Sequence, residues 1–300
     1  MKNGLQTQPK MFAQHPAPST CSLVADAEMI AVGSFDGSIT AMRLLDGFVL
    51  FRSRGHTSPV CSLATNARHG ILVSGSYDNS LRIWDRSTGV ALCTMLGAHE
   101  STLKSVFILA HPSERLRIVS ASESAVKVWD GTSLLSKSGE AAAGNAGGVD
   151  GGHQPMVVLP MIANRAVSGC EGVVQVHAGA ALLAYGSSGS WLCALPTLEP
   201  LQEFNLTMHV DSPKSSYISR SAITCCAVGE GFMVLGSGMD LWLVRIDHVG
   251  TGDSWTPCLQ VLKHRGAVAA VHISPDGKSV LTASANTVTV FDWPSYCTDR

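Results

Sequence analysis

His56, Ser74 and Asp78 are the residue types of a hydrolytic triad, and all three fall within 23 residues of one another. In such a triad an imidazole takes the serine proton while the carboxylate holds the imidazole in the right tautomer. The local sequence argues against that chemistry. Ser74 lies in "ILVSGSYDNS", and nothing in the chain resembles the sharp strand-to-helix elbow that presents a nucleophilic serine. The same residue types also return at matching places further along, as scaffolding residues do. A second chemistry would be metal binding. The chain has 11 histidines, but none forms the H-x-x-x-H spacing that puts two imidazoles on one metal. Its 9 cysteines are scattered, from Cys21 to Cys297, odd in number and without a C-x-x-C pair. They read as reduced, mostly buried thiols of a reducing compartment. No metal and no cofactor is expected.

Composition narrows the classes further. The formal charge is −2 over 300 residues, and charged residues make up 15% of them. A nucleic-acid binder needs a basic footprint, and none is present. With 45% hydrophobic residues the chain can bury a large core. The opening "MKNGLQTQPKMFAQHPAPS" lacks the apolar run of a signal peptide. The longest low-charge stretch, Val173 to Leu198, contains Gln175, His177, several Gly and Ser, and Pro196. Short buried strands separated by turns account for it better than a membrane span.

The elements that would position His56, Ser74 and Asp78 are repeats. "GSFDGSITAMRLLDG" from Gly33 aligns without a gap on "GSYDNSLRIWDRSTG" from Gly75, and the pair "STCSLVAD" and "SPVCSLAT" precedes them. A third copy runs from His99 to Ser133, and a distant one from His264 to Ser295. A weaker one starts at His209 and includes "AITCCAVGEGFMVLGSGMDLWLVRID". The leading histidines fall at His15, His56, His99, His209 and His264. Their spacing begins at 41 and then 43 residues, leaves room for two units and an insertion between His99 and His209, and ends at 55. Within each unit, three or four β-rich runs alternate with polar turns, and helical periodicity is scarce. "VCSLAT", "GILVSGS", "SLRIWD" and "VALCTML" are the four strands expected of the second unit.

A period of about 40 to 45 residues, with His early and Trp-Asp late, resembles the WD-repeat family. The resemblance covers nearly the whole chain. It implies an all-β fold, a closed β-propeller of six blades, with seven as the alternative if another lies between Ser133 and Val173. It also implies a single domain over residues 1–300. Ser133 to Gln154 is Gly/Ala-rich and reads as a flexible insertion before the outer strand of blade three, expected in "PMVVLPMIA". The last unit lacks a fourth strand. The family's habit of closing the ring with an N-terminal strand would put Lys10 to Gln14 beside Thr287 to Asp292, removing an exposed sheet edge.

In this family a His, a Ser or Thr, a turn Asp and the Trp form a hydrogen-bonded network. The resemblance carries these roles to His56, Ser74, Asp78 and Trp84 in blade two, and to His99, Ser120 and Trp129 in blade three, where Glu123 is only an approximate stand-in for Asp. Blade one keeps His15 and Asp36 but lacks the Ser and Trp. "FRSRGH" (Phe51 to His56) is similar to the Phe-Arg-Arg-Gly motif of phosphoinositide-binding propellers, but Ser53 interrupts the arginines. "WDRS" (Trp84 to Ser87) is similar to a Trp-Asp-x-Arg ligase-adaptor motif, but Arg86 stands one place early.

The function implied is a non-catalytic protein-interaction scaffold, a subunit of a larger complex. Phe35 and Tyr77 immediately precede the turn aspartates Asp36 and Asp78. They are aromatic where a solvated turn favours polar residues, which marks them as candidates for a partner-binding patch. The bland alternative is packing at the channel rim. Competing readings are a phosphoinositide- or nucleic-acid-binding adaptor and a propeller hydrolase with a central calcium. Partners are expected to be proteins. The compartment is expected to be the cytoplasm, with the nucleus as the alternative.

Overall fold

The fold was analysed in a computed structural model. It describes residues 20–109, 115–135, 158–176, 181–187, 189–204, 223–229, 232–245, 257–263, 267–273, 279–284 and 287–292. These form six antiparallel sheets, in which each strand pairs with the next in sequence. Blade one is β1 (Thr20–Ala25), β2 (Met29–Ser34), β3 (Ile39–Arg43) and β4 (Val49–Ser53). Blade two is β5 (Val60–Asn66), β6 (Ile71–Ser76), β7 (Leu81–Asp85) and β8 (Ala91–Met95). Blade three is β9 (Leu103–Ile108), β10 (Arg117–Ser122), β11 (Ala125–Asp130) and β12 (Met161–Ala166). Blade four is β13 (Cys170–Val176), β14 (Ala181–Gly186), β15 (Gly189–Ala194) and β16 (Pro200–Phe204). Blade five is β17 (Ile223–Val228), β18 (Phe232–Ser237), β19 (Asp240–Arg245) and β20 (Pro257–Lys263). Blade six has three strands, β21 (Val268–Ile273), β22 (Ser279–Ser284) and β23 (Thr287–Asp292).

The innermost strands β1, β5, β9, β13, β17 and β21 pack side by side in that order. The six blades of a β-propeller are therefore present among the described residues. Lys10 to Gln14, expected to complete blade six, lies outside them, as do His15, His209 and His264. Of the insertion expected at Ser133 to Gln154, the described residues include 133–135. Ser133 belongs to a short 3-10 turn, Thr132–Leu134, whose Leu134 is fully buried in the apolar cluster that also holds Leu92 and Met95 of blade two. The segment before residue 136 is thus anchored by apolar burial, and residues 136–157 are outside the described set. The outer strand of blade three also begins later than "PMVVLPMIA" suggests, at Met161, where it pairs with Trp129.

The core lies between blades. Met29, Ile39 and Phe51 of blade one meet Val60, Leu72 and Trp84 of blade two. Ile71, Leu81 and Ile83 meet Leu103, Ile118 and Trp129 at the next junction. Covered on both faces, β6 and β7 are buried along their whole length. Their sequences, "ILVSGS" and "LRIWD", accordingly bury Ser74, Ser76, Arg82 and Asp85 along with their apolar side chains. Close approach also needs a small residue on the second strand. A methyl on Gly75 would stand 2.8 Å from Cγ1 of Val106 in blade three.

Every innermost strand carries a register break after its first residue, at Thr20, Val60, Leu103, Cys170, Ile223 and Val268. The bulge turns a nearby side chain toward the next blade. Ser22 Oγ donates to the Val60 carbonyl (2.9 Å), Cys61 Sγ to the Leu103 carbonyl (3.1 Å) and Thr224 Oγ1 to the Val268 carbonyl (2.8 Å). At the opposite end of the sheets, Arg86 spans from blade two to blade one. Its Nε and Nη2 donate to both oxygens of Asp26, and Nη2 also reaches Glu28 at 3.0 Å. The Arg86 side chain is only 13% exposed. Removing Arg86 leaves a half-buried carboxylate without its charged partner. We expect Arg86→Ala to destabilise by about 1–3 kcal/mol in chemical denaturation, and Arg86→Lys to recover little of it, because lysine lacks the two-pronged fork.

Candidate functional site

His56 lies in the segment leading into β5, Ser74 on β6, Asp78 in the following turn and Trp84 on β7. Leu72 stands opposite Trp84, so Ser74, two residues along the same strand, shares its face and lies diagonal to the indole. Trp84 Nε1–H donates to Ser74 Oγ (2.8 Å). The Ser74 hydroxyl then donates to His56 Nε2 (2.7 Å), and His56 Nδ1–H points at Asp78 Oδ2 (3.1 Å). Asp78 also accepts the backbone N–H groups of Thr57 and Ser80, both at 2.9 Å, and the Ser80 hydroxyl. The four residues predicted in blade two are all brought together.

Burial pushes the His56 imidazole toward its neutral form, and this outweighs the pull of Asp78. For Asp78 burial acts in the other direction. The hydrogen bonds from His56, Ser80 and Thr57 overcome it and hold the carboxyl well below the usual range. A neutral imidazole beside an ionised carboxylate satisfies the donors and acceptors of this four-residue lattice. Ser74 is completely buried and already accepts the indole N–H. It cannot meet a substrate, so the three residue types of a triad serve here as a bracing lattice. Among the described residues no group of three or more His, Cys, Asp or Glu is placed to hold a metal ion.

Blade three repeats the lattice with one change. His99 Nε2 meets Ser120 Oγ (2.7 Å), and Trp129 Nε1–H donates to the same oxygen (2.8 Å). Its Nδ1, however, meets Ser122 at 2.9 Å, not Glu123. The turn is a residue shorter, so position 123 cannot reach back, and Glu123 points to solvent. Ser80 and Ser122 are the two members that sequence reasoning missed. The matching triplets "DGS" at Asp36 and "DNS" at Asp78 carry the signal for Ser80, since Ser38 bonds Asp36 in the same way. Without a carboxylate, burial pushes His99 down to about 4, helped by the nearby Lys127 ammonium.

The turn aspartates are positioned by left-handed residues, Gly37 at φ 78° and Asn79 at φ 63°. Gly37 abuts the carbonyls of His56 and Ser58 so closely that no side chain would fit. From the other side Ser76 Oγ donates to the Ser58 carbonyl (3.0 Å), and the Tyr77 N–H donates to Pro59 (3.1 Å). Two successive turns thus grip one short segment between them. Phe35 and Tyr77 project from these turns, 61% and 49% exposed. In "FRSRGH", Phe51 and Ser53 face inward and Arg52 outward, while Arg54 lies 3.9 Å from Asp36. Arg86 of "WDRS" is taken up by Asp26 and Glu28 and is not offered to a partner.

Two outcomes follow for the lattice. Trp84→Ala should cost about 3–5 kcal/mol, the range for deleting a large buried aromatic. Ser74→Ala, which strands two buried nitrogens, should cost about 1–3 kcal/mol. Both are read from denaturant midpoints. The pH dependence follows from His99. An unfolded imidazole takes its proton near 6.5, whereas the folded one holds none until about 4. The unfolded state binds more protons in that window, so stability is full above it and falls as pH drops through it, by up to about 3 kcal/mol. His56 acts in the same direction. Melting temperature against pH should fall more steeply for the wild type than for His99→Gln.

The family model described as "WD domain, G-beta repeat" matches residues 48–85 and 256–292. An F-box/WD-40 repeat-containing protein of Arabidopsis thaliana is 34% identical over 28% of this chain and 19% of its own length. COMPASS component SWD3 of Saccharomyces cerevisiae is 35% identical over 30% of this chain and 28% of its own. The Periodic tryptophan protein 2 homolog of Neurospora crassa is 22% identical but spans 88% of this chain, again covering only 29% of that protein. The chain therefore spans less than a third of the length of these relatives. A chain in the crystal structure of the mitotic checkpoint complex superposes on 91% of this chain and 74% of its own, with a TM-score of 0.67 at 15% identity, a likeness of fold. Family-model matches at two places, blades of one pattern between them and a His–Ser–Trp lattice in successive blades lead to one conclusion: the chain carries WD-type repeats and is similar to WD-repeat proteins.

Proposed function

We propose that the chain is a single non-catalytic scaffold domain, a subunit of a larger complex. Partner proteins dock on the face bearing the turns between second and third strands. The observation that carries this reading is the exposure of Phe35 and Tyr77 on two turns that grip the same segment. An aromatic held on a rigid support loses little entropy on binding and buries a large apolar area. Relatives described as components of complexes, such as SWD3 of COMPASS, support a scaffold role in general terms.

A phosphoinositide- or nucleic-acid-binding role has less support. The formal charge is slightly negative, and Arg54 of the interrupted motif lies beside Asp36. The hydrolase reading loses its best residues to the buried lattice. No helix among the described residues is long and apolar enough to cross a membrane. The cytoplasm is our preferred compartment, with the nucleus as the alternative.

The test is Phe35→Ser combined with Tyr77→Ser. Both side chains are exposed, so the unfolding midpoint should stay within about 0.5 kcal/mol of wild type. Proteins that co-purify with the wild-type chain should be lost. A variant that unfolds early yet keeps its partners would make these residues core and move the binding surface elsewhere.

A further inference from the structure

The turn face carries more than its aromatic pair. In the next blade, the segment Glu100–Thr102 and the turn Glu123–Ser124 are tied together. Ser101 Oγ and Ser124 Oγ lie 2.6 Å apart, the Ser124 N–H donates to Ser101 Oγ, and the Glu123 N–H reaches the Thr102 carbonyl. Glu100 and Glu123 therefore project from one fixed corner, and both are exposed. Antiparallel sheets place all turns of this kind at the same end, and blades one, two and three follow in order. The face thus runs from Phe35 to Tyr77 to the glutamate corner.

Several other charged groups near these three blades have partners among the described residues. Asp36 lies near Arg54, and Lys104 lies 3.4 Å from Glu171. Lys127 is turned down onto the Ala98 carbonyl at 2.8 Å, and the buried Arg82 lies in the field of Asp78. Glu100 and Glu123 form no ion pair among the described residues. Two rings and two unmatched carboxylates on a rigid support complement a segment with apolar and cationic side chains close together. The rings themselves attract a cation across their faces. A nucleic acid would meet the two carboxylates with its own negative backbone, so this charge pattern favours a peptide.

We propose that the docking face of blades one to three takes a basic, amphipathic peptide segment of its partner, with apolar side chains on Phe35 and Tyr77 and a lysine or arginine at Glu100 and Glu123. This rests on the docking role argued above and adds to it the chemistry of the occupant. Complementary charge contributes chiefly to encounter rate and to rejection of wrong partners. The complex should accordingly weaken as salt is raised, because exposed pairs are screened.

The test uses short fluorescein-labelled peptides with a leucine pair followed by a lysine pair, and a counterpart with glutamates in place of the lysines. Anisotropy is measured against the full chain. The basic peptide should bind, and the acidic one should bind at least about tenfold more weakly, the size expected when like charges are juxtaposed. Glu100→Gln with Glu123→Gln should remove most of that difference, and Phe35→Ser with Tyr77→Ser should weaken both peptides. The salt dependence of the wild-type protein supplies a readout that needs no variant. Equal binding of the two peptides, or no effect of the glutamine pair, overturns the proposal. If neither peptide binds while the serine pair still strips the natural partners, the basic chemistry falls and the docking role stands. If the serine pair keeps its partners, the docking role itself falls.

Discussion

A sheet with two apolar faces, and no α-helix among the described residues to cover them, is stabilised by other sheets. That constraint governs this molecule. The middle strands β6 and β7 have no solvent-facing side, so blade two is not a stable object by itself. It becomes one when blades one and three close over it. At roughly 25 cal/mol per Å² of buried apolar surface, each junction contributes far more than any single hydrogen bond described above. The polar features are devices for setting the spacing and angle at which this burial occurs.

The His–Ser–Trp lattice fits that role. It binds a lead-in segment, two adjacent strands and, in blade two, a turn through directional contacts in a dry setting. A fully satisfied buried network rigidifies and specifies. The rigidity is passed to the turn above it. Asp78 is fixed by four donor groups from three residues, so Tyr77, its immediate neighbour, sits on a support that cannot easily shift. The catalytic appearance of these residues and their scaffolding role share one origin. Orienting an imidazole with a carboxylate is useful chemistry whether or not a substrate can approach.

Much of this is legible in the sequence, and the limits have physical reasons. Blade two reads clearly because His56, Ser74, Asp78 and Trp84 all occupy their repeat positions, and the four strand segments quoted for it match the four observed. Blade three is harder. A long low-complexity insertion separates β11 from β12, so pattern cannot fix where the outer strand starts, and the buried Leu134 looks like part of the loop. Ser122 hides because a serine in "SAS" gives no sign of its partner. The Arg86–Asp26 contact is invisible for a different reason. Its partners are 60 residues apart and meet only because the register of two separate sheets aligns them. Exposure of Phe35 and Tyr77 likewise depends on how neighbouring blades are set.

The side chains at the bulges reach in one direction. Ser22, Cys61 and Thr224 each contact a carbonyl of the blade that follows them in the chain. In a growing polypeptide the forward donor of each blade therefore waits for a strand not yet made, and the blade is completed only when that strand docks. Each new blade docks on a prepared template and in turn presents one. Length in such a chain comes in whole-blade increments, because a break anywhere within a unit leaves an entire apolar face bare.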